Sequence, residues 1–479
     1  METIHGIVVE LGGFVWGPWC LIPLLLGAGV YFMIGLKFMP LRALGHAFGH
    51  MWRGRKHAEG AEGELTPFKA LMTSLAATVG TGNIVGVATA IYLGGPGAVF
   101  WMWMTALFGM ATKYCEAMLA VKYRDVLPNG SYVGGPMYYI RKGLGEQWKW
   151  LAFLFAVFGS VACFGIGNMT QANAIGTNVL NMYKAFHGMP HTAEVAWFGI
   201  NATYIMAGVL FVLASIVIIG GVKRIGDVAG ILVPVMAGFY ILMGIVIMIA
   251  NADKVGFAFG EIFGGAFSAQ AVGGGAVGSV MMGIQRGVSR GLFSNEAGLG
   301  SAPIAHATAT TKDPVHQGFL GMLDPFIDTI IVCTITAVVI LIADLWPTLP
   351  SGQMGALTSM SFDKALPGTY YGQMTVTVAL ALFAFSTILG WFVYGERCIM
   401  YLFGHQASLP FKIIFCLVIP FGTVAQINFV WDLADLFNGL MALPNLIALL
   451  LLSPVVFRAT KEYFDKLEQE KKLKASGVR

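Results

Sequence analysis

The chain has 479 residues, of which 57% are hydrophobic and 11% are charged, with a formal net charge of +4. Soluble globular proteins carry about 25% charged residues, so this composition excludes a soluble domain and predicts an integral membrane protein. Six cysteines lie scattered in or beside apolar segments, without the close pairs or companion histidines of a disulfide framework or a zinc site.

Long apolar runs predict an all-α polytopic membrane protein with about eleven transmembrane helices. A spanning helix needs about 20 apolar residues to cross roughly 30 Å of hydrocarbon. The first run lacks the basic residues and the cleavage site of a signal peptide, which indicates a retained helix. The predicted spans are 14–36, 68–93, 98–121, 150–178, 196–220, 228–250, 270–295, 318–344, 373–402, 410–429 and 432–456.

The basic residues predict the orientation of these spans. Nearly all of the 29 Lys and Arg lie in segments on one side of the predicted helices. The exceptions are Lys184, Lys254 and Lys364 on the other side and Lys113 inside a span. By the positive-inside rule, the N-terminus lies outside the cell and the C-terminus in the cytoplasm. The charge therefore reports topology, and nucleic acid is excluded as a partner.

Eleven spans divide into one extra N-terminal helix followed by two groups of five. The second and seventh spans start on opposite sides of the bilayer, which predicts an inverted repeat of the transporter type. The expected units are residues 1–66 with the extra helix and a cytoplasmic linker, 67–252 as the first repeat, 253–457 as the second, and 458–479 as a charged cytoplasmic tail. Such repeats place their interrupted helices in the second and seventh spans.

The second span contains a cluster of small and polar residues near its midpoint: Thr78, Gly80, Thr81, Gly82 and Asn83. Unpaired backbone groups cost several kcal/mol in hydrocarbon, so a helix breaks there only beside protein or a lined cavity. The amides of residues 81–83 suit a carboxylate, and the carbonyl groups near Ala76 and Val79 suit a small cation. The alternative is close helix packing through small residues.

The fourth span carries three amide side chains, of Asn168, Gln171 and Asn173, which need partners away from lipid. Phe164 precedes them and could cap a small pocket, although simple packing also explains it.

The seventh span holds two candidate breaks, Gly273–Gly278 and Gly283–Gly287, and its midpoint favours the second. Gln285 then offers an amide at membrane depth. The alternatives are a hydrogen bond between helices for Gln285 and a flexible start of the span for the first glycine group.

Two later spans add candidate residues. In the eighth, Asp324 and Asp328 share a helix face and could pair with Arg286 or Arg290 as an inner gate, or be plain interface charges. The ninth span carries Ser386, Thr387 and Trp391. A hydroxyl pair opposite freed carbonyl groups forms a set of hard oxygen ligands, which suits Na⁺ better than a transition metal. The alternatives are hydroxyl bonds within the helix and packing of Trp391.

Several motifs, spread from the second span to the last, closely resemble the alanine or glycine:cation symporter family. The sixteen residues from Gly94 to Gly109 match its signature, and the further segments are GTGNIVGVATA, GGPMYYI, GVSRGLFSNEAGLGSAP, FIDTIIVCT, ILGWFVYGER and NGLMALPN. The resemblance implies the LeuT-type fold with an extra N-terminal helix. It also implies Na⁺-coupled uptake of alanine or glycine, or in some members of D-alanine, serine or glutamine.

The resemblance further implies roles for individual residues. Gly80, Thr81, Gly82 and Asn83 would hold the substrate carboxylate. Gln171 and Gln285 would serve its polar end, and Trp391 would limit the size of the side chain. The Na⁺ ion would lie between the carbonyl groups of Ala76 and Val79 and the hydroxyl groups of Ser386 and Thr387.

The expected function is therefore Na⁺ symport of a small neutral amino acid across the bacterial plasma membrane, with no organic cofactor. Proton coupling through Glu116 or Glu396 is the alternative within transporters. A channel would need a continuous polar pore or a ring of like charges, which the isolated polar clusters do not provide. An enzyme is not expected, because the sequence lacks HExxH and GxSxG motifs and its histidines fall in or near loops.

Overall fold

The computed structural model describes residues 2–17, 19–56, 60–190, 193–267, 276–366, 368, 370–425 and 428–475. Helices dominate this part of the chain. The helices of its first half are α1 (Glu2–Val15), α2 (Leu21–Gly35), α3 (Met39–Arg42), α4 (Leu44–Arg53), α5 (Pro67–Thr78), α6 (Val87–Gly94), α7 (Ala98–Lys122), α8 (Pro136–Tyr139), α9 (Lys149–Phe164), α10 (Thr170–Phe186), α11 (Ala202–Ile218) and α12 (Gly221–Ala250).

The second half is equally helical. Its helices are α13 (Ala252–Gly265), α14 (Ala276–Asn295), α15 (Ala302–His306), α16 (Pro314–Gly321), α17 (Leu323–Pro325), α18 (Thr334–Ala343), α19 (Leu357–Ala365), α20 (Tyr371–Phe403), α21 (Ser408–Val424) and α22 (Asn428–Ala475). Single 3₁₀ turns cover Glu146–Trp148, Ser351–Ala356 and His405–Ala407. Four π-helical segments lie at Gly82–Gly86, Ile140–Leu144, Gly165–Met169 and Phe326–Cys333.

Two small antiparallel hairpins lie between helices. One pairs β1 (Asp125–Val126) with β2 (Tyr132–Val133), and the other pairs β3 (Ala196–Trp197) with β4 (Ile200–Asn201). The second hairpin occupies the predicted start of the fifth span, so α11 begins only at Ala202. The Asn201 side chain caps this helix by accepting a hydrogen bond from the Thr203 N–H group.

Six continuous helical stretches in the described part of the chain have the length and apolar composition of a membrane span, and the bent pair α5–α6 gives a seventh. The chain is thus a multi-pass membrane protein. The apolar helices α2 and α11 have only 15 and 17 residues, and α7 and α14 occupy the predicted third and seventh spans. The count of eleven stays a prediction.

The first and last helices have other bounds than the predicted spans. The first span was expected to start at residue 14, but α1 ends at Val15 and a separate helix starts at Leu21. At the other end, α22 continues through the membrane region into the charged tail as one helix of 48 residues. Tyr463 in this tail forms hydrogen bonds with His46 and His50 of α4. Burial and the neighbouring His316 and His46 lower the pKa of His50 to about 3.

The interior of the helix bundle is formed around α5, α7 and α20. The apolar stretch of α20 is 78% buried, whereas that of α12 is 33% buried and leaves its remaining surface for lipid. Small residues allow the inner helices to approach closely. A Cβ atom at Gly390 of α20 would lie 2.7 Å from the backbone nitrogen of Ala77 in α5. This contact fixes α20 against the end of α5.

Replacing Gly390 with alanine should therefore push α20 away from α5. Overpacking of this kind costs about 1–3 kcal/mol, and we expect a lower apparent melting temperature of the purified protein in detergent. The matched control is Gly238→Ala in α12, where no described atom outside the local helix backbone lies within 4 Å of the new methyl group. Equal melting temperatures for the two variants would contradict the close contact.

Candidate functional site

The second span is broken at the predicted position. Helix α5 ends at Thr78, the chain bends by 52°, and a π-helical turn from Gly82 to Gly86 leads into α6. The Gly80 N–H group donates to Asn83 Oδ1 over 2.9 Å. Unlike an uninterrupted helix, the end of α5 has carbonyl groups without intrahelical partners. The break thus presents the carbonyl end of α5 and the amide end of the following half-helix to the protein interior.

The four residues predicted to hold Na⁺ lie together beside this break. Ser386 Oγ is 3.2 Å from the Ala76 carbonyl oxygen, and Thr387 Oγ1 is 3.5 Å from the Val79 carbonyl oxygen. All four residues are buried. Both hydroxyl groups also donate to the Phe383 carbonyl oxygen of their own helix, which is the alternative role that the sequence left open for them. Four neutral oxygen atoms at this place are a suitable ligand set for a hard cation.

Gln171 of α10 also lies beside the break. Its Nε2 donates to Thr81 Oγ1 over 3.3 Å and to the Ile166 carbonyl oxygen over 3.0 Å. Its Oε1 is buried and has no hydrogen-bond partner among the described residues. This oxygen lies 3.6 Å from the position that a Cβ atom at Gly80 would take. A free acceptor therefore faces the break, where a donor group of a ligand could reach it.

Thr78, Gly82 and Asn83, also predicted to bind the substrate, contact other helices of the protein. Asn83 Nδ2 donates to Asp328 Oδ1 over 2.7 Å, and the Thr78 hydroxyl group donates to Asp324 Oδ1 over 2.9 Å. The side chains of Thr78 and Asn83 thus connect the two sides of the break to buried aspartates. Gly82 approaches Ser294, because a Cβ atom there would lie 3.2 Å from the Ser294 Cα.

The predicted aromatic and amide contacts are not all brought together. Trp391 is fully buried, and its Nε1 donates to Glu296 Oε1 over 3.0 Å. Phe164 packs on Phe411 and Phe415 of α21 rather than on Trp391. Gln285 is half-buried in α14 and lies ten residues, or about 15 Å of helix, before Asn295.

The seventh span breaks later than predicted. Helix α14 runs without interruption from Ala276 to Asn295, so the predicted break at Gly283–Gly287 is wrong. The glycines there serve packing, since a Cβ atom at Gly287 would lie 2.2 Å from the Ala98 carbonyl oxygen. In the other candidate, residues 273–275 lie outside the described part, and the chain is helical from Ala276.

The observed break covers residues 296–301, between α14 and α15. Glu296, Gly298 and Gly300 all have positive φ angles there. The Gly300 N–H group donates to Glu116 Oε1 over 3.1 Å, and Asn445 Nδ2 donates to the Gly298 carbonyl oxygen over 2.9 Å. Buried side chains therefore receive the backbone groups that this break frees.

The predicted pairing of Asp324 and Asp328 with Arg286 or Arg290 is wrong. Both aspartates are fully buried, and Asp324 forms an ion pair with Lys113 in which Nζ lies 3.1 Å from Oδ2. Asp328 Oδ2 accepts hydrogen bonds from Ser294 and Thr329. Lys113, Glu296 and Asn445 were not among the residues predicted from the sequence to form the site. A charged residue within an apolar run was the available signal for Lys113, and Glu296 directly follows the predicted end of the seventh span.

Glu116 and Glu396, the two candidates for proton coupling, have different surroundings. Glu396 accepts a hydrogen bond from Ser408 and lies 3.5 Å from the Lys412 ammonium group. Glu116 is fully buried, and its Oε2 has no hydrogen-bond partner within the described ranges.

A cavity of about 1380 Å³ leads away from the first break. It starts at Thr81 and continues to the loop before α19 and to the start of α22. Polar side chains of α10 form one wall, namely Thr170, Asn173, Thr177, Asn178 and Asn181. Arg290 lines this cavity together with Lys364, although the basic-residue pattern predicted these two residues on opposite sides of the membrane. The break is thus accessible to a small polar solute.

Comparison with known proteins identifies the family. The sequence pattern of the sodium:alanine symporter family matches residues 1–476. The chain belongs to this family. The sodium/alanine symporter AgcS of Methanococcus maripaludis is 47% identical over 470 residues, which are 97% of this chain and 98% of AgcS. The probable sodium/glutamine symporter GlnT of Bacillus subtilis is 38% identical over 464 residues, covering 97% of this chain and 91% of GlnT.

A solved structure supports the fold. MhsT in complex with L-phenylalanine has a TM-score of 0.54 to this chain at 14% identity, covering 84% of this chain and 99% of MhsT. The predicted LeuT-type fold is thus confirmed, while the inverted five-helix repeat stays a prediction. The family assigns the chain a transporter role, and the family and the fold together support Na⁺-coupled amino acid symport.

Gly80 leaves room for the Thr387 hydroxyl group, because a Cβ atom at Gly80 would lie 2.6 Å from Thr387 Oγ1. We expect Gly80→Ala to displace this hydroxyl group and to weaken Na⁺ binding by about tenfold. Binding of radioactive sodium to the purified protein measures the effect. The control is Gly86→Ala, where no atom of the described chain beyond the local backbone lies within 4 Å of the added methyl group. Unchanged binding in Gly80→Ala would show that the hydroxyl group is not a sodium ligand.

Proposed function

We propose that this symporter carries a small neutral amino acid, alanine or glycine, into the cell together with Na⁺. The observation that carries the proposal is the group of four neutral oxygen atoms from Ala76, Val79, Ser386 and Thr387 beside a broken helix. Carbonyl and hydroxyl oxygens suit an alkali cation, and the negative end of the α5 dipole favours positive charge there. The name and the 47% identity of AgcS support the same assignment.

The substrate, an amino acid zwitterion, would bind across the break. Its carboxylate would face the amides of residues 81–83, at the positive end of the second half-helix. Its ammonium group would donate to Gln171 Oε1, the buried acceptor without a partner in the described chain. Trp391 is fully buried one turn after Thr387 in α20, and it would limit the size of the substrate side chain.

Alternating access would move the substrate between the two sides of the plasma membrane. The cavity from Thr81 is the proposed outer approach, with the N-terminus outside and the C-terminus in the cytoplasm. The two five-helix units, 67–252 and 253–457, would rock about the central site. One charge crossing 100 mV contributes about 2.3 kcal/mol, and a tenfold Na⁺ gradient adds about 1.4 kcal/mol. Together they support a substrate gradient of several hundredfold.

Proton coupling is the second candidate, and one observation favours it. Glu116 Oε2 is buried and has no hydrogen-bond partner in the described ranges, while Oε1 accepts from Gly300 and Asn445. A carboxyl group beside the second break could carry a proton through the transport cycle.

GlnT adds glutamine as a possible substrate class.

Alanine uptake into liposomes should require an inward Na⁺ gradient. We expect Thr387→Ala to raise the Na⁺ concentration for half-maximal uptake by about tenfold, because one ligand is lost. The control is Thr375→Ala in the same helix, whose hydroxyl group donates to the Tyr371 carbonyl oxygen and has no other hydrogen-bond partner among the described residues. Uptake driven by a proton gradient without Na⁺ would overturn the Na⁺ assignment in favour of proton coupling. Uptake of serine or glutamine but not alanine would correct the substrate.

Gln171→Leu tests the placement of the substrate ammonium group. A hydrogen bond to a charged group is worth about 1.5–3 kcal/mol, so the KM for alanine should rise by about tenfold or more at saturating Na⁺. The control is Gln147→Leu in the 3₁₀ turn Glu146–Trp148, an exposed residue outside the cavity lining whose amide donates to the Leu144 carbonyl oxygen. An equal KM for alanine in both variants would place the ammonium group elsewhere.

A further inference from the structure

One buried carboxylate reaches the end of α5 from another helix. Asp324 Oδ2 accepts hydrogen bonds from Ser74 Oγ over 2.6 Å and from Lys113 Nζ over 3.1 Å. Its Oδ1 accepts from Thr78 Oγ1 over 2.9 Å. Neither Asp324 nor Lys113 has any exposed surface. Three side chains from α5 and α7 therefore satisfy a carboxylate of α17 inside the membrane region.

These contacts fix the part of α5 that supplies the carbonyl ligands. Thr78 is the last residue of α5, and Ser74 lies one turn before it on the same face. The carbonyl groups of Ala76 and Val79 lie within this stretch or directly after it. A helix end frays when its last carbonyl groups lack partners, so a tether at Ser74 and Thr78 holds the two carbonyl oxygens in place.

The charge of Asp324 needs Lys113. A carboxylate alone is costly in a low-dielectric interior, and the negative end of a helix dipole makes this position still less favourable. The Lys113 ammonium group from α7 compensates both effects. An uncharged acceptor would avoid this cost, but only a carboxylate accepts from two hydroxyl groups and an ammonium group at once.

We propose that Asp324 is a positioning residue for the cation site, with Lys113 as its counter-charge. Through Ser74 and Thr78 it holds the carbonyl end of α5 against the hydroxyl groups of α20. The inference rests on the proposed function, because it takes the four oxygen atoms beside the first break as the Na⁺ site. A pair that serves only the stability of the fold would leave Na⁺ affinity unchanged.

A matched pair of threonine variants tests the tether without changing any charge. Thr78→Val removes the hydrogen bond to Asp324 together with longer contacts to the Ser74 and Leu75 carbonyl oxygens. Thr73→Val in the same helix removes a bond to the carbonyl oxygen of its own helix at Lys69, and no other side-chain bond of Thr73 is seen in the described part of the chain. Binding of radioactive sodium to the purified protein, without amino acid, is the readout. We expect about tenfold weaker binding in Thr78→Val and unchanged binding in Thr73→Val. Equal sodium affinity in both variants would overturn the proposal.

Two double variants separate positioning from folding. Lys113→Met with Asp324→Asn removes both charges but keeps an oxygen that accepts from Thr78. Lys113→Met with Asp324→Leu removes the charges and the acceptors together. Because both variants lack the ion pair, a purely structural pair would affect them alike. We expect Na⁺ affinity within about threefold of the wild type for the first and about tenfold weaker for the second. Equal affinities would overturn the proposal.

The same assay distinguishes this inference from the proposed function. If the wild-type protein shows no saturable sodium binding, the proposed Na⁺ site fails and the positioning role fails with it. If the wild type binds sodium and Thr78→Val binds it equally well, only the positioning role fails.

Discussion

The structure depends on one constraint: a backbone group freed inside a membrane must find a partner within the protein. The first break meets it through Asn83, which accepts from Gly80, and through hydroxyl groups near the freed carbonyl groups. At the second break, Glu116 accepts from the Gly300 N–H group, and Asn445 donates to the backbone. The buried polar residues of this symporter therefore gather where its helices are interrupted.

This constraint explains which parts of the fold could be predicted. The first break combines glycines, threonines and an asparagine in the middle of an apolar run, a pattern that packing alone does not require. In the seventh span, Gly283 and Gly287 suggested a break, yet they allow close approach to α6 and α7. The glycines of the true break at residues 296–301 look the same in sequence, because a glycine needed for space and one needed for a positive φ angle are the same letter.

The grouping of the candidate cation ligands was implied by the family resemblance and not by local spacing, because the paired residues are 310 and 308 positions apart. The proposed Na⁺ ligands lie in two short segments, and the structure brings Ala76 close to Ser386 and Val79 close to Thr387. The partners of buried charges depend on how distant helices meet, and neither composition nor spacing contains that information. Lys113 and Asp324 are 211 positions apart, and their pairing follows from the packing of α7 beside α17.

The charged side chains of Asp324 and Asp328 contact residues next to the proposed ligands. The groups closest to the first break are carbonyl, hydroxyl and amide groups, whereas Asp324 and Asp328 hold the residues on either side of it. A carboxylate in direct contact with a cation at low dielectric would bind it strongly and slow its release. Neutral oxygens bind more weakly, and conduction through a binding site requires that the ion can leave. Placing the carboxylates behind the break therefore gives the site a fixed geometry while keeping the cation exchangeable.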